Sequence, residues 1–214
     1  METHEVLDAA YRALLEPLSG LDETTAWRPT RCTGWVVRDL VLHLLGDARR
    51  ALVALHTPAD GPADVDAVSY WNAWRPGTAD ADDERRHVRL AASAWPSTAP
   101  LVEQYAETAH AVLDAARGRS PHEHVRTQGH VLTTGSLLST LVVEATVHQL
   151  DLGLGEVSAA GSAEVRRVLD GLLGHPAPFA DTVRYALVGT GREPLRDDER
   201  ALLGASADRL PLFG

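Results

Sequence analysis

The 214-residue chain predicts an all-α protein: four long amphipathic helices forming a bundle, followed by a short helical C-terminal extension. Two observations carry that reading. Apolar residues recur at helical spacing over four long segments, and glycine and proline punctuate the gaps between them. No repeat, low-complexity tract or heptad pattern interrupts the series, so the helices are expected to pack on one another as a compact bundle.

The first helix is expected over residues 5–18, with Val6, Ala9, Ala10, Ala13, Leu14 and Leu18 at helical spacing and Gly20 as its stop. After a loop holding Pro29, Cys32 and Gly34, Thr33 is placed to cap a second helix over residues 36–55, which Pro58, Gly61 and Pro62 end. Tyr70, Trp71 and Trp74 fall in a short stretch before Pro76 and Gly77. The third helical region, residues 82–117, is interrupted near Pro96 and Pro100, because proline disfavours a helix interior. Residues 118–134 form a connector with room for a short extended piece. The fourth helix then runs over residues 135–152 and closes on Gly153 and Gly155. Shorter helices are expected over 163–173, 179–188 and 197–203. The division this implies is a metal-binding bundle over 1–155 with a small extension, 156–214, packed on it.

Composition narrows the function classes. Apolar residues make up 44% of the chain, enough for a packed core, and the net charge is −10 with a pI near 5.4. A nucleic-acid surface needs a clustered basic face, so no nucleic-acid partner is expected. Acid spread over solvent faces speaks for solubility. All 20 basic residues are arginine, which fits the codon bias of a GC-rich genome. The single cysteine, Cys32, excludes an intrachain disulfide and a cysteine-rich zinc site and fits a reducing cytoplasm. The apolar runs are far shorter than the ~20 residues of a membrane span, and the start of the chain lacks a signal-peptide pattern. A soluble cytoplasmic monomer or homodimer is expected.

The chemistry-bearing feature is Glu144 with His148, one turn apart in an otherwise apolar helix. A buried carboxylate there is costly unless a cation satisfies it. A divalent metal would do so, with His43 of the second helix as third ligand. Such a His₂Glu set on two helices leaves an open position, as in catalytic zinc sites. From spacing alone the alternative stays open: a hydrogen-bonded core histidine and a surface Glu–His pair. A ligand histidine usually donates its second N–H to a carboxylate. Asp39 and Asp47, each one turn from His43, and Asp151 beside His148 are the candidates.

Other residues carry weaker signals. Cys32 lies near a helix start, where a thiolate gains from the helix dipole; it reads as a nucleophile or a small packing residue. His122 and His124 read as a metal pair on a strand or as solvated loop residues. His130, with Gln128 and Gly129, precedes the Glu144 helix and is a candidate for substrate contact or proton transfer. Tyr70, Trp71 and Trp74 suit either a pocket wall or the core, and Trp71 with Gln128 is taken for the substrate pocket. Arg85, Arg86 and Arg89 read as a solvated face or an anion site.

The run Pro29-Thr30-Arg31-Cys32-Thr33-Gly34-Trp35-Val36-Val37-Arg38-Asp39-Leu40, followed by His43, resembles the N-terminal motif of the mycothiol-dependent maleylpyruvate isomerase family. That family belongs to the wider DinB/YfiT-like group of metalloenzymes. Glu144-Ala145-Thr146-Val147-His148-Gln149-Leu150-Asp151 resembles its second motif, and the similarity spans roughly Val6 to Leu152. The resemblance implies a DinB-like four-helix bundle with a divalent ion, Zn2+ foremost, held at positions matching His43, Glu144 and His148. Many DinB relatives use three histidines, so Glu144 places the chain on the isomerase-like side. The resemblance also implies mycothiol, or a similar low-molecular-weight thiol, as cosubstrate. The characterised isomerase type has an additional C-terminal domain, for which the stretch after Gly155 is short. Residues 189–195, Gly-Thr-Gly-Arg-Glu-Pro-Leu, resemble instead the endings of single-domain relatives. Three functions follow as expectations: a metal-dependent thiol enzyme acting by S-transfer or isomerisation on a small electrophile, a metal-water hydrolase, and a non-catalytic metal-containing binding or stress-associated module.

Overall fold

The computed structural model describes residues 2–73 and 79–213. Trp74, Pro76 and Gly77 lie outside them. The described chain is mostly helical, with one two-stranded hairpin. Four long helices share a core: α1 (Thr3–Leu18), α3 (Val37–Leu55), α5 (Ala99–Ala116) and α6 (Thr134–Leu152). Between α1 and α3 lies the single turn α2 (Glu23–Ala26), and α4 (Ala79–Ser93) precedes α5. Leu7 and Leu14 of α1, Leu40 and Leu45 of α3, Leu101 and Tyr105 of α5, and Val142 of α6 meet in this core, all fully buried. Burying a leucine side chain contributes about 2 kcal/mol, so this cluster holds the helices together.

The helix at the centre is α6. Fifteen of its 19 residues are buried, apolar and polar alike, so it is covered on nearly every side. Thr133 caps its start, accepting the Ser136 amide at 3.1 Å, and Gly153 closes it at φ 63°, a left-handed conformation that glycine adopts without cost. The connector before it is a hairpin, β1 (His124–Thr127) paired antiparallel with β2 (His130–Thr133). Gln128 and Gly129 make its tip, and Gln128 has φ 47°.

The start of α3 differs from expectation. Thr33 does not cap it. Residues 29 and 36 form an antiparallel bridge, Val36 is the N-cap position, and Asp39 supplies the bond from inside the helix by accepting the Val36 amide at 3.0 Å. The loop so formed is pinned to the end of α6, where the Arg31 amide donates to the Asp151 carbonyl at 3.0 Å.

After Gly153 the chain forms α7 (Ala159–Leu173), α8 (Thr182–Gly189), α9 (Asp197–Leu203) and a 3-10 turn over Gly204–Arg209. They build a second apolar cluster on α6: Val143 and Val147 pack with Val165 and Leu169 of α7, Tyr185 of α8 and Phe213. Trp71 belongs to this cluster, stacked on Phe213 with ring centroids 4.4 Å apart. No helix is long and apolar enough to cross a membrane among the described residues.

Candidate metal centre

Two helices and the loop before α3 converge on His148. Within α6 each side chain leans toward the N-terminal turn, so His148 reaches back to Glu144: its Nε2 lies 3.0 Å from a Glu144 carboxylate oxygen. The other nitrogen, Nδ1, lies 3.0 Å from Oδ2 of Asp151, whose side chain is completely buried. Across the helix interface, the His43 ring stands edge-on to His148 with centroids 4.8 Å apart. Trp35 packs on the other side of His43 at 5.0 Å, its indole N–H donating to the Arg85 carbonyl at 3.2 Å. One ligand atom each from His43, Glu144 and His148 lies within 4.8 Å of the others, so the three groups converge on one point.

The electrostatics suit cation binding. Burial, aided by the nearby His148 charge, pushes the His43 imidazole down to about 3, so it is neutral and has a lone pair to offer at physiological pH. Burial acts against charge on His148 as well, but the bonds to Asp151, Cys32 and Glu144 outweigh it and hold its proton well above the ordinary range. Glu144 is ionised: burial works against the carboxylate, and His148 and His43 more than offset it. Asp151 is likewise held well below the usual carboxylate range, burial being overcome by His148 and Arg192.

The orienting carboxylates sort themselves by position. Asp47 meets Nε2 of His43 at 3.3 Å and also contacts Arg50. Asp39 sits on the opposite turn and is occupied by the Val36 amide, so it does not orient His43. Asp151 is the carboxylate that meets Nδ1 of His148.

A second set of donor atoms shares His148: Cys32 Sγ, His148 Nδ1 and Asp151 Oδ2. Cys32 donates to Asp151 at 3.2 Å and lies 3.8 Å from His148. Arg192 also meets the same Asp151 oxygen at 3.0 Å, putting a fixed positive charge where a cation would sit. Among the described residues no such arginine hydrogen bond reaches Glu144, although the charge of Arg50 acts on it, so the donor set that would fit a divalent ion is His43, Glu144 and His148. Two imidazoles and one carboxylate make a donor set typical of zinc with one position left for another ligand. Cys32 precedes α3 by five residues and so is not at its N-terminus.

Glu144 opens on a small recess of about 30 Å³, rimmed by Asp47, Arg50, Tyr70, Thr127 and Gln128. The Tyr70 hydroxyl donates to the Gln128 side-chain carbonyl across this rim. Trp71 points instead into the second core and does not line the recess. His130 lies 3.3 Å from Asp64, is about one-third exposed and is not a lining residue either, so the proton-transfer role expected of it lacks support in the geometry. His122 precedes β1 and does not share a strand with His124. Arg86 pairs with Asp83 at 3.9 Å on the exposed face of α4. A larger cavity of about 430 Å³, lined by Asp66, Ser136, Ser139, Glu164 and Arg167 among others, includes none of the three ligands. Sequence reasoning missed Arg192, Arg50 and the contact of Cys32 with Asp151. Each depends on tertiary approach; only the spacing of Arg50, one turn after Asp47, was there to be read.

Residues 7–153 match a family described as the mycothiol maleylpyruvate isomerase N-terminal domain. Among solved structures, the chain is similar to the crystal structure of the mycothiol-dependent maleylpyruvate isomerase (16% identity, TM-score 0.56) and to that of a histidine-to-alanine mutant of that protein (16% identity, TM-score 0.55). Each comparison covers 79% of this chain and 70% of the other. At that identity the likeness is one of fold. No curated protein matches the chain.

Proposed function

The chain belongs to the mycothiol maleylpyruvate isomerase N-terminal domain family, a family of enzymes, and on that premise we propose that it is a divalent-metal-dependent enzyme using a low-molecular-weight thiol on a small electrophilic substrate. The observation that carries the proposal is the convergence of His43, Glu144 and His148 from two helices at the edge of a recess, with the second nitrogen of His148 on a buried carboxylate. His43 is the neutral donor, kept so by burial. Glu144 is the anionic donor, and Asp151 fixes which nitrogen His148 presents. Zinc is the ion this donor set suits best.

Glu144, His148, Asp151 and Arg192 balance as two anions and two cations. A divalent ion held by His43, Glu144 and His148 in place of the His148 proton would leave this group one positive charge in excess, and would lower the pKa of a thiol that reached it. Arg50, Gln128 and Tyr70, which line the recess, would hold an electrophile there. Thiol addition to an activated carbon–carbon double bond leaves a single bond free to rotate. Elimination then restores the double bond in the other geometry and returns the thiol, so isomerisation needs no oxidant or reductant. Addition without elimination gives S-transfer. The bundle over 1–155 supplies the ligands, and the extension over 156–214 packs on it as a support.

The recess also favours a second reading. A volume of about 30 Å³ holds a water rather than a thiol cosubstrate, as a metal-water hydrolase requires. Under the leading reading the Tyr70–Gln128 contact must open to admit the thiol. Product analysis with zinc-loaded protein, with and without mycothiol, separates the two. Conversion that requires thiol, and is lost together with bound metal in His43→Ala and Glu144→Ala, supports the proposal. Full activity in a metal-free variant contradicts it, and hydrolysis without thiol favours the second reading.

A further inference from the structure

The metal-centre reading draws on residues 7–153, yet the hydrogen-bond chain behind His148 does not end there. Asp151 has no contact with solvent, and its carboxylate is met from outside the bundle by Arg192, in the turn after α8. Arg192 donates from Nε at 3.2 Å to Oδ1 and from Nη2 at 3.0 Å to Oδ2, the two-pronged geometry in which a guanidinium fixes a carboxylate plane as well as its charge. The same Oδ2 faces Nδ1 of His148 at 3.0 Å.

Arg192 is itself held. Its Nη1 donates to the Thr190 carbonyl at 2.8 Å, and its amide donates to the Leu187 carbonyl at 2.7 Å. Gly191, at φ 73°, makes the sharp turn that presents it. Arg31 stitches the same corner from the other side, donating to the Leu150 carbonyl and lying 3.8 Å from Glu193. A single buried salt bridge would be weak evidence of function. This one ends, through one intervening carboxylate, on a candidate ligand nitrogen.

We propose that Arg192 is a positioning residue of the metal centre: from the C-terminal extension it fixes Asp151, and through Asp151 the ring orientation of His148. This rests on the reading that His43, Glu144 and His148 hold a divalent ion. It gives the extension a role beyond covering the bundle, since removing its support loosens a ligand without touching the ligand set.

The test uses full-length protein and Co2+ as probe, measuring affinity by chelator competition and ligand geometry by the visible absorption of the bound ion. Arg192→Gln weakens Co2+ binding by about 10- to 100-fold, as losses behind a ligand histidine do, and shifts the cobalt spectrum. Asp151→Asn does the same, and the double variant is no worse than the weaker single, because both act along one chain. Arg192→Lys, keeping the charge but not the fork, recovers part of the affinity. Arg166→Gln controls for loosening of the extension alone: Arg166 holds the Ala177 and Phe179 carbonyls and does not touch Asp151, so it lowers the melting temperature and leaves cobalt affinity unchanged. Unchanged affinity and spectrum in Arg192→Gln, additive losses with Asp151→Asn, or an equal loss in Arg166→Gln would each overturn the role of Arg192 while leaving the metal centre standing. Wild-type protein that binds no cobalt, or binds it unaffected by His43→Ala, overturns both.

Discussion

Metal uptake by this protein should release a proton, and His148 is its source. The Nε2 of His148 faces Glu144 at 3.0 Å and Nδ1 faces Asp151 at 3.0 Å, so the imidazolium has an anion on each side. Burial disfavours that charge, but the carboxylates and Cys32 hold the proton well above the ordinary value of 6.5. A ligand nitrogen must first lose its proton. His43, at about 3, has none to lose. One proton therefore leaves per ion bound, and apparent affinity weakens tenfold, about 1.4 kcal/mol, for each pH unit below the His148 value. Calorimetric titration with Zn2+ between about pH 6 and pH 8, in buffers of different protonation enthalpy, counts that proton directly. The same groups set the stability of the metal-free fold. His148 is raised, so its contribution is complete below about 6.5 and is lost as pH rises through its folded value. Glu144 and Asp151 are depressed, so theirs is present above their ordinary values and lost as pH falls through the folded ones. Zinc binding with no proton released and no change across this range would refute the reasoning, since it would mean that His148 is already neutral.

Two further outcomes follow from the packing and the rim. A Cβ added at Gly161 of α7 would lie 2.4 Å from Oγ1 of Thr146, a buried and β-branched residue with little room to turn, so Gly161→Ala should cost about 1–3 kcal/mol in chemical denaturation while leaving metal content at wild-type level. Gln128→Gly relieves a side chain held at φ 47° and removes one partner of the Tyr70 hydroxyl, so the fold should survive intact while KM for the electrophile or thiol changes; kinetics identical to wild type would refute a role for Gln128 at the recess.

Much of the architecture was legible because it is written in local patterns. The apolar spacing of α1, α3 and α6, with Pro96 between α4 and α5 and Pro100 in the first turn of α5, places the long helices within a few residues, and the bounds of α9, residues 197–203, agree. Shorter features left too little pattern: α2 has four residues, and each hairpin strand has four, so the connector read only as room for an extended piece. Thr33 has the right chemistry for a cap, but the bridge between residues 29 and 36 moves the helix start beyond it. The site divides the same way. Glu144 and His148 are readable because one helix sets their spacing, whereas the approach of His43 is tertiary: its place among leucines with an aspartate one turn away on either side makes it a candidate third ligand, and the motif resemblance adds to that. Asp39 and Asp47 are equivalent by spacing, and only the fold shows that Asp39 is spent on a backbone amide. Arg192 and Cys32 lie 41 and 119 residues from Asp151, and no local rule joins them.

The most direct test is diffraction from zinc-grown crystals at the metal absorption edge. One anomalous peak is predicted, bonded to a nitrogen of His43, a nitrogen of His148 and a Glu144 oxygen at about 2.0–2.2 Å. A crystal with no peak between those side chains, or with the ion seated on Cys32 and Asp151 and Arg192 displaced, would contradict the account.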